Sequence, residues 1–506
     1  MNGPPRADDL SVVAPSRADP LVRWGSEGLG GPLGPRAAFG SSWWTPVRVL
    51  VVLAVLAGGL GLLAKESCRE NGWTAPHQFV HICYSDIPAI YSARGLDVGA
   101  IPYLDNKGTE PVEYPVLTGA VMWATAQLVA DDADDRALRY FDVNALWLVA
   151  AAVVVVAATA LTVRRRPWDA ALVALSPSLI LAMYINWDLY AVALTSLALL
   201  AWSRSRPIAA GALLGLAVAA KFYPLLLLGP LAVLCLRSGH LREFGRTVSA
   251  ATASWLTVNL PFALADWDGW VTFYVFSRDR GVGWSSSWLL FQLLGDEVPS
   301  ALNALAAGAF FLCCVGIGAL GLGAARRPRL AQLCFLVLAA FVVTNKVYSP
   351  QFVLWVIPLA ALARPVWRDH IVWTLGQVIH FVGLWSYFVG LSNPDRGLSD
   401  GGYAWMIIAH LAGTLWLVAV VVRDVLGPAH DPVRADGSDD PGGGPLDGAP
   451  DVLRLDLAVL GTRPRALAGG FGGVRATKRR GTRPRHPDGS SSSAPGSPAP
   501  RPGPAG

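Results

Sequence analysis

The chain has 506 residues, 53% of them hydrophobic and only 15% charged, with a mean hydropathy of +0.42. A soluble protein carries roughly 25% charged residues, so the deficit excludes an ordinary soluble domain. The formal net charge of +5 does not point to nucleic acid, because Lys and Arg sit in short loops beside apolar runs, where they encode membrane topology.

Residues 1–45 hold Pro, Gly, Arg and Asp without an early apolar core. No cleavable signal peptide is expected there, and the segment reads as a disordered cytoplasmic N-terminus. The first apolar run spans 46–64, with Arg36 and Arg48 on the inner side, so the loop from Lys65 onward is expected to face outward. Apolar runs of about 15 to 22 residues then recur, close to the ~20 that cross a bilayer as helix. Backbone polar groups in lipid must be satisfied internally, which makes these runs helices. Alternating strand patterns are absent, which argues against a barrel. The fold class expected is all-α, a polytopic helical membrane protein.

Residues 113–130 create a conflict. If they cross, the triple arginine Arg164–Arg166 falls outside. If they lie flat along the outer surface, 142–163 becomes the second crossing and Arg164–Arg166 fall inside. The basic loops around Arg204 and Arg206, Arg237 to Arg246, Arg326 to Arg329 and Arg364 to Arg368 then agree. The later crossings are 168–185, 188–202, 207–220, 222–236, 246–263, 298–322, 330–345, 348–363, 371–390 and 403–423. That gives about twelve spans with both termini cytoplasmic. Gly211 and Gly215, four residues apart, suit close helix packing. The domain expected is 46–423, and 424–506 is rich in Pro, Gly and Ser and reads as a disordered cytoplasmic tail, with a short surface helix possible around "DVLRLDLAVLG".

With this topology the unusual polar residues collect on the outer side. They are Asp86, Glu113, "NWD" (Asn186, Trp187, Asp188), "KFYP" from Lys221, "DWDGW" (266–270), "SRDR" with Arg278 and Arg280, "NKVYSPQ" (345–351, with Lys346, Tyr348 and Gln351) and "SNPDR" (392–396). Ionisable groups at membrane depth are costly and tend to be functional. Each also has a plainer reading. Asp86 and the Arg278–Arg280 run suit solvated loops, Trp187 suits an aromatic belt, and Lys221 can snorkel to headgroups. Lys346 can complement a helix dipole. Cys68 and Cys83 share the first outer loop and are either a disulfide or two separate thiols. His77 and His81 make two ligands, a poor metal site, and no cofactor is assigned.

The segments "EYPVLTG", "INWDLYAVAL", "KFYP" and "NKVYSPQFVLW", with an acidic residue soon after the first helix, together resemble glycosyltransferase family 87. The resemblance covers about residues 46 to 423 and excludes both tails. It departs at Val116, where a second Pro is expected. It implies a GT-C-like fold with juxtamembrane helices in the extracytoplasmic first loop. It further implies transfer of a hexose, mannose in the type case, from a polyprenyl phosphate to a glycolipid or cell-envelope acceptor.

The implied chemistry is physically coherent. Phosphate leaves without a general acid, its second pKa being about 6, so the reaction needs a base for the acceptor hydroxyl. Asp86 is the candidate catalytic residue. Lys221, Lys346, Arg278 and Arg280 are candidates for the donor phosphate. Tyr84, Glu113, Asn186, Trp187, Asp188, Tyr348 and Gln351 are candidates to line the substrate pocket. If the stretch around Asp86 is helical, Tyr84 and Ile87 face the membrane while Asp86 and Ile90 share the other face. A single displacement through one carboxylate inverts the anomeric centre. The rival readings are a flippase or transporter of lipid-linked sugars, which usually places polar groups at the midplane within repeats, and a non-catalytic scaffold.

Overall fold

The computed structural model describes residues 12–30, 43–104, 110–393 and 395–455. They are helical throughout, with no strand among them. The first long helix, Pro46–Leu63, starts where Thr45 accepts a hydrogen bond from Arg48 N and Pro46 takes the first helical position, where its missing N–H costs nothing. Asp135 caps Arg136–Thr162 and Ser399 caps Asp400–Leu426 in the same way.

Among the described residues, six helices are long and apolar enough to cross a bilayer: Pro46–Leu63, Arg136–Thr162, Leu241–Ala265, Leu302–Gly323, Trp367–Ser392 and Asp400–Leu426. The remaining expected crossings are shorter apolar helices such as Asp188–Ser203, Pro207–Ala220 and Leu330–Thr344. The run 168–185 is broken into one-turn pieces, Pro167–Ala170, Ala171–Ala174 and Pro177–Ala182. Among the described residues, six of the roughly twelve expected crossings are full-length apolar helices. The segment 113–130 contains only an eleven-residue helix, Val116–Ala126. At 1.5 Å rise per residue it reaches about 16 Å, half a bilayer core. Pro115 stands just before it, so Val116 leaves the helix start intact.

Packing brings the helices together in close neighbouring pairs. Pro207–Ala220 lies against Leu241–Ala265, Trp367–Ser392 against Asp400–Leu426, and Asp188–Ser203 between Arg136–Thr162 and Pro207–Ala220. A Cβ on Gly211 would lie 2.2 Å from Thr247 O, and one on Gly215 2.1 Å from Ala251 O. The four-residue glycine spacing thus serves the close approach expected of it.

Because the chain alternates direction, two ends form. One gathers Asp86, Asp188, Lys221 and Lys346 around a cavity. The other gathers Arg166, Arg237, Arg327, Arg329 and Arg364. Here the structure differs from the sequence reading of the termini. Residues 428–455 are not a loose tail but a strap across this end, with one-turn helices at Pro428–His430, Pro432–Arg434 and Gly444–Leu446. Asp431 pairs with Arg329 at 2.7 Å and Asp451 with Arg237 at 2.6 Å and Arg327 at 2.8 Å. Trp202 Nε1 donates to Gly443 O at 2.7 Å. Gly444 has φ 58°, and a Cβ there would lie 1.9 Å from Trp202 O. Composition argues from apolar burial, whereas this segment is held by ion pairs and carbonyls.

Residues 12–30 differ from the expected disorder as well, forming helices Pro15–Ala18 and Pro20–Gly30. Asp19 Oδ2 accepts from Trp367 N at 2.8 Å, and Val13 N donates to Arg165 O at 2.7 Å. Of "DVLRLDLAVLG", residues 451–455 are not helical and the rest lies outside the described residues, as does the end of the tail.

Candidate active site

The loop before Asp86 is pinned one residue after another. Cys68 and Cys83 form a disulfide with Cα atoms 5.8 Å apart, joining the short helix Glu66–Asn71 to this loop. Trp73 Nε1 donates to Cys83 O at 3.1 Å, and Lys65 Nζ to Tyr84 O at 2.7 Å. Ser85 Oγ donates to Tyr184 O at 2.8 Å and accepts from Ile87 N, capping the helix Asp86–Ala93. Asp86 N donates to Ile185 O at 2.8 Å. The carboxylate therefore begins a helix whose entry is fixed at every preceding position.

Asp86 opens on a cavity of about 720 Å³, within the ordinary range for small-molecule sites. Ile90 lines it too, so Asp86 and Ile90 share a face as expected. Tyr84 does not face the membrane: it precedes the helix, and its hydroxyl donates to Asp86 Oδ1 at 2.5 Å. Ile87 is buried in the core. Asp86 is half-buried, and burial pushes its carboxyl up to about 6. The Tyr84 hydrogen bond and the Lys221 charge oppose that rise, while Asp188 and Glu113 add to it. Burial and the Asp86 charge raise the Tyr84 hydroxyl, so it stays protonated and donates.

The expected cations divide. Lys221 lines the cavity but is paired with Asp188 Oδ1 at 2.7 Å, its ammonium 5.1 Å from the Tyr114 ring centroid. Lys346 lines it as well, and Nζ donates to Arg278 O at 2.6 Å and Arg280 O at 2.5 Å. Burial lowers its pKa. Those bonds set the backbone that carries Arg280 to the cavity edge, where its guanidinium lies 5.6 Å from the Phe276 ring and makes no ion pair among the described residues. Arg278 is misplaced in the sequence reading: its side chain is 70% exposed, pairs with Asp279 at 2.6 Å and does not line the cavity. The side chains alternate outward and inward across Asp279, which spacing alone does not reveal.

Among the expected lining residues, Tyr84, Glu113, Asn186, Tyr348 and Gln351 line the cavity. Glu113 is engaged by Arg94 at 2.7 and 2.8 Å. Tyr348 donates to Gln377 Oε1 at 3.1 Å. Trp187 and Asp188 do not line it. Trp187 is buried behind, with Nε1 donating to Asn144 Oδ1 at 2.7 Å. Asp188 is buried between Lys221 and Trp355, whose Nε1 donates to Oδ2 at 2.8 Å. Asp188 thus fixes Lys221. Sequence reasoning missed Lys65, Tyr114, Trp355 and Trp385; Trp385 lies 4.6 Å from Tyr84 between ring centroids. The His77 and His81 rings lie 4.3 Å apart, tilted by 39°, and no group of three metal-ligating side chains forms among the described residues.

The arrangement holds one poised carboxylate, a donor hydroxyl against it, and cations across an aromatic cavity. Such a set can deprotonate a hydroxyl beside a bound anion.

Comparison with known proteins bears on the same region. Residues 114–344 match the model of glycosyltransferase family 87. That span holds the helix from Val116, "NWD" and "KFYP", and stops one residue before "NKVYSPQ". No curated protein matches. Among solved structures, the chain is similar to ArnT from Cupriavidus metallidurans bound to undecaprenyl phosphate, at 14% identity and a TM-score of 0.39, over 76% of this chain and 78% of that one. The resemblance to glycosyltransferase family 87 holds over the matched span, and with it the coarse reading of an all-helical membrane glycosyltransferase.

Proposed function

We propose that the protein transfers a hexose, mannose in the simplest case, from a polyprenyl phosphate to a hydroxyl of a glycolipid or cell-envelope acceptor. Asp86 takes the hydroxyl proton as the sugar moves, and the single displacement inverts the anomeric centre. Arg280, with Lys346 and Lys221 behind it, holds the phosphate. The leaving phosphate needs no acid at neutral pH. Arg278 has no part.

The observation that carries this reading is Asp86, a carboxylate near 6, held by Tyr84 and opening on the cavity that Arg280 and Lys346 border. Phe222, Phe276 and Trp284 line that cavity and are also exposed, which suits an isoprenoid tail entering from the bilayer. We place the cavity on the extracytoplasmic side. Two independent features support this: the Cys68–Cys83 disulfide at the cavity end, favoured in an oxidising compartment, and the arginines at the opposite end. Labelling of single-cysteine variants in intact cells tests it, and label at position 165 from outside would reverse the orientation.

A flippase would have to open at both ends. The strap 428–455 clasps the end opposite the cavity through Arg237, Arg327 and Arg329, which favours the enzyme. The deciding assay uses purified protein in detergent, where no compartments exist. Radiolabelled polyprenyl-phosphate mannose is mixed with envelope lipid extract. Label moving into the acceptor fraction supports transfer; label remaining on the polyprenyl phosphate rejects it.

A further inference from the structure

Lys65 stands at the end of the first long helix with only 1% of its surface exposed. The carbonyl end of that helix favours a cation. Its ammonium has three protons to donate, yet among the described residues its hydrogen-bond partner is Tyr84 O, at 2.7 Å, and no carboxylate lies within ion-pair distance. A buried ammonium so lightly satisfied is expensive to keep. Stability alone would be served by an apolar residue here, much as the buried arginines elsewhere are served by full pairing.

What Lys65 touches is the backbone of Tyr84, whose hydroxyl donates to Asp86 at 2.5 Å. The disulfide from Cys68, three residues further on, locks the same two segments together. We propose that Lys65 is the positioning residue of Asp86: it holds Tyr84 in the place from which its hydroxyl reaches the carboxylate, and its buried charge favours the ionised, proton-accepting form of Asp86. This rests on Asp86 being the base.

The groups that bear on Asp86 come from every element around it. Tyr84 lies in its own loop, Lys65 at the end of Pro46–Leu63, Glu113 before Val116–Ala126, Asp188 at the start of Asp188–Ser203, and Lys221 at the end of Pro207–Ala220. Lys65 and Lys221 are cations in that set, and the Arg280 charge at the cavity edge acts on the Tyr84 hydroxyl. Burial brings the Lys65 pKa down to about 7, with the Asp86 charge resisting. Lys65 is therefore largely charged over the range in which Asp86, near 6, gains its proton. Removing a nearby cation disfavours a carboxylate, so the Asp86 pKa must rise when Lys65 is neutralised.

The test measures turnover against pH per folded molecule, with radiolabelled polyprenyl-phosphate mannose as donor. Lys65→Gln keeps an N–H for Tyr84 O and loses the charge. It is expected to move the acid limb of kcat upward by about one pH unit, with the donor KM within about twofold. Lys65→Met also loses the hydrogen bond and is expected to lower kcat roughly tenfold further at every pH. An acid limb that stays in place in both variants overturns the proposal, as does failure of both to fold, which would assign Lys65 to the fold alone. Asp86→Asn separates the two levels. If it abolishes transfer while the Lys65 limb stays put, only the Lys65 role is lost; if it transfers at the wild-type rate, the base reading is lost.

Discussion

The two ends of the helix bundle hold their charges in opposite ways. At the strap end, Arg237 and Arg329 have every guanidinium nitrogen engaged. Arg329, 2% exposed, has Asp431 on two of its nitrogens, one of which also donates to Ala363 O, and the carbonyl of Leu362 on the third. Arg364 is shared between Asp369 and Asp424. At the cavity end Lys221 is paired with Asp188 and Glu113 with Arg94, but Asp86 has a tyrosine hydroxyl and no ion pair within salt-bridge distance among the described residues, Lys65 has one carbonyl, and Arg280 lies over the Phe276 ring. Saturated pairing satisfies desolvated charge and holds structure. Unsaturated charge beside a cavity is costly to the fold and is retained where chemistry uses it.

Breaking the saturated end should cost the most stability. Arg329→Ala leaves Asp431 buried without its partner, an effect of about 3–5 kcal/mol. Thermal unfolding in detergent should shift down clearly, while transfer per folded molecule stays within twofold. A large fall in turnover with unchanged unfolding would erase the division between the ends.

Substitution at the cavity end should do the reverse. Arg280→Ala removes a charge-assisted contact worth roughly 1.5–3 kcal/mol. The donor KM should rise by about ten- to a hundred-fold, and the acceptor KM should barely move. Lys221→Ala should act less on the donor, since Asp188 already holds that ammonium. Equal effects on both substrates would detach these cations from the phosphate.

Acid should affect rate and stability in opposite senses. A base near 6 loses its function as it gains a proton, so turnover should fall about tenfold per unit below pH 6. The folded pKa of Asp86 stands above its ordinary 3.8, so the folded state binds the proton more tightly. The destabilisation from its ionised form is present above about 6 and gone below the unfolded value. Asp86→Asn should therefore unfold at no lower a temperature than the wild type. The smallest effect is expected at Arg278, exposed and paired only with its neighbour. Arg278→Ala should leave donor kinetics within twofold.

Much of the cavity end was legible in the sequence, because its residues sit at the abrupt turns between apolar runs. Asp86, Glu113, Asn186, Lys221, Lys346, Tyr348 and Gln351 all line the cavity. The direction of a side chain within such a turn was not legible. Arg278 and Arg280 differ only in that, and the backbone held by Lys346 decides it. Lys65 was within reach: an ionisable residue ending the first apolar run, three before Cys68. Its partner lies nineteen residues away across a disulfide that two cysteines alone do not prove. The strap was beyond composition. Its carboxylates meet Arg237 and Arg327 across more than a hundred residues of chain, and few apolar side chains, Val433 and Leu446 among them, are buried in it.

Asp86→Asn keeps the shape of the side chain and a partner for Tyr84 but cannot take a proton from an acceptor. Its turnover should be measured on folded protein, beside its binding of polyprenyl-phosphate mannose. Turnover lower by about 10²–10⁴-fold, with donor affinity within threefold of the wild type, is the result expected if the unsaturated carboxylate is the base. Turnover near the wild-type rate would contradict it and move the base elsewhere in the cavity.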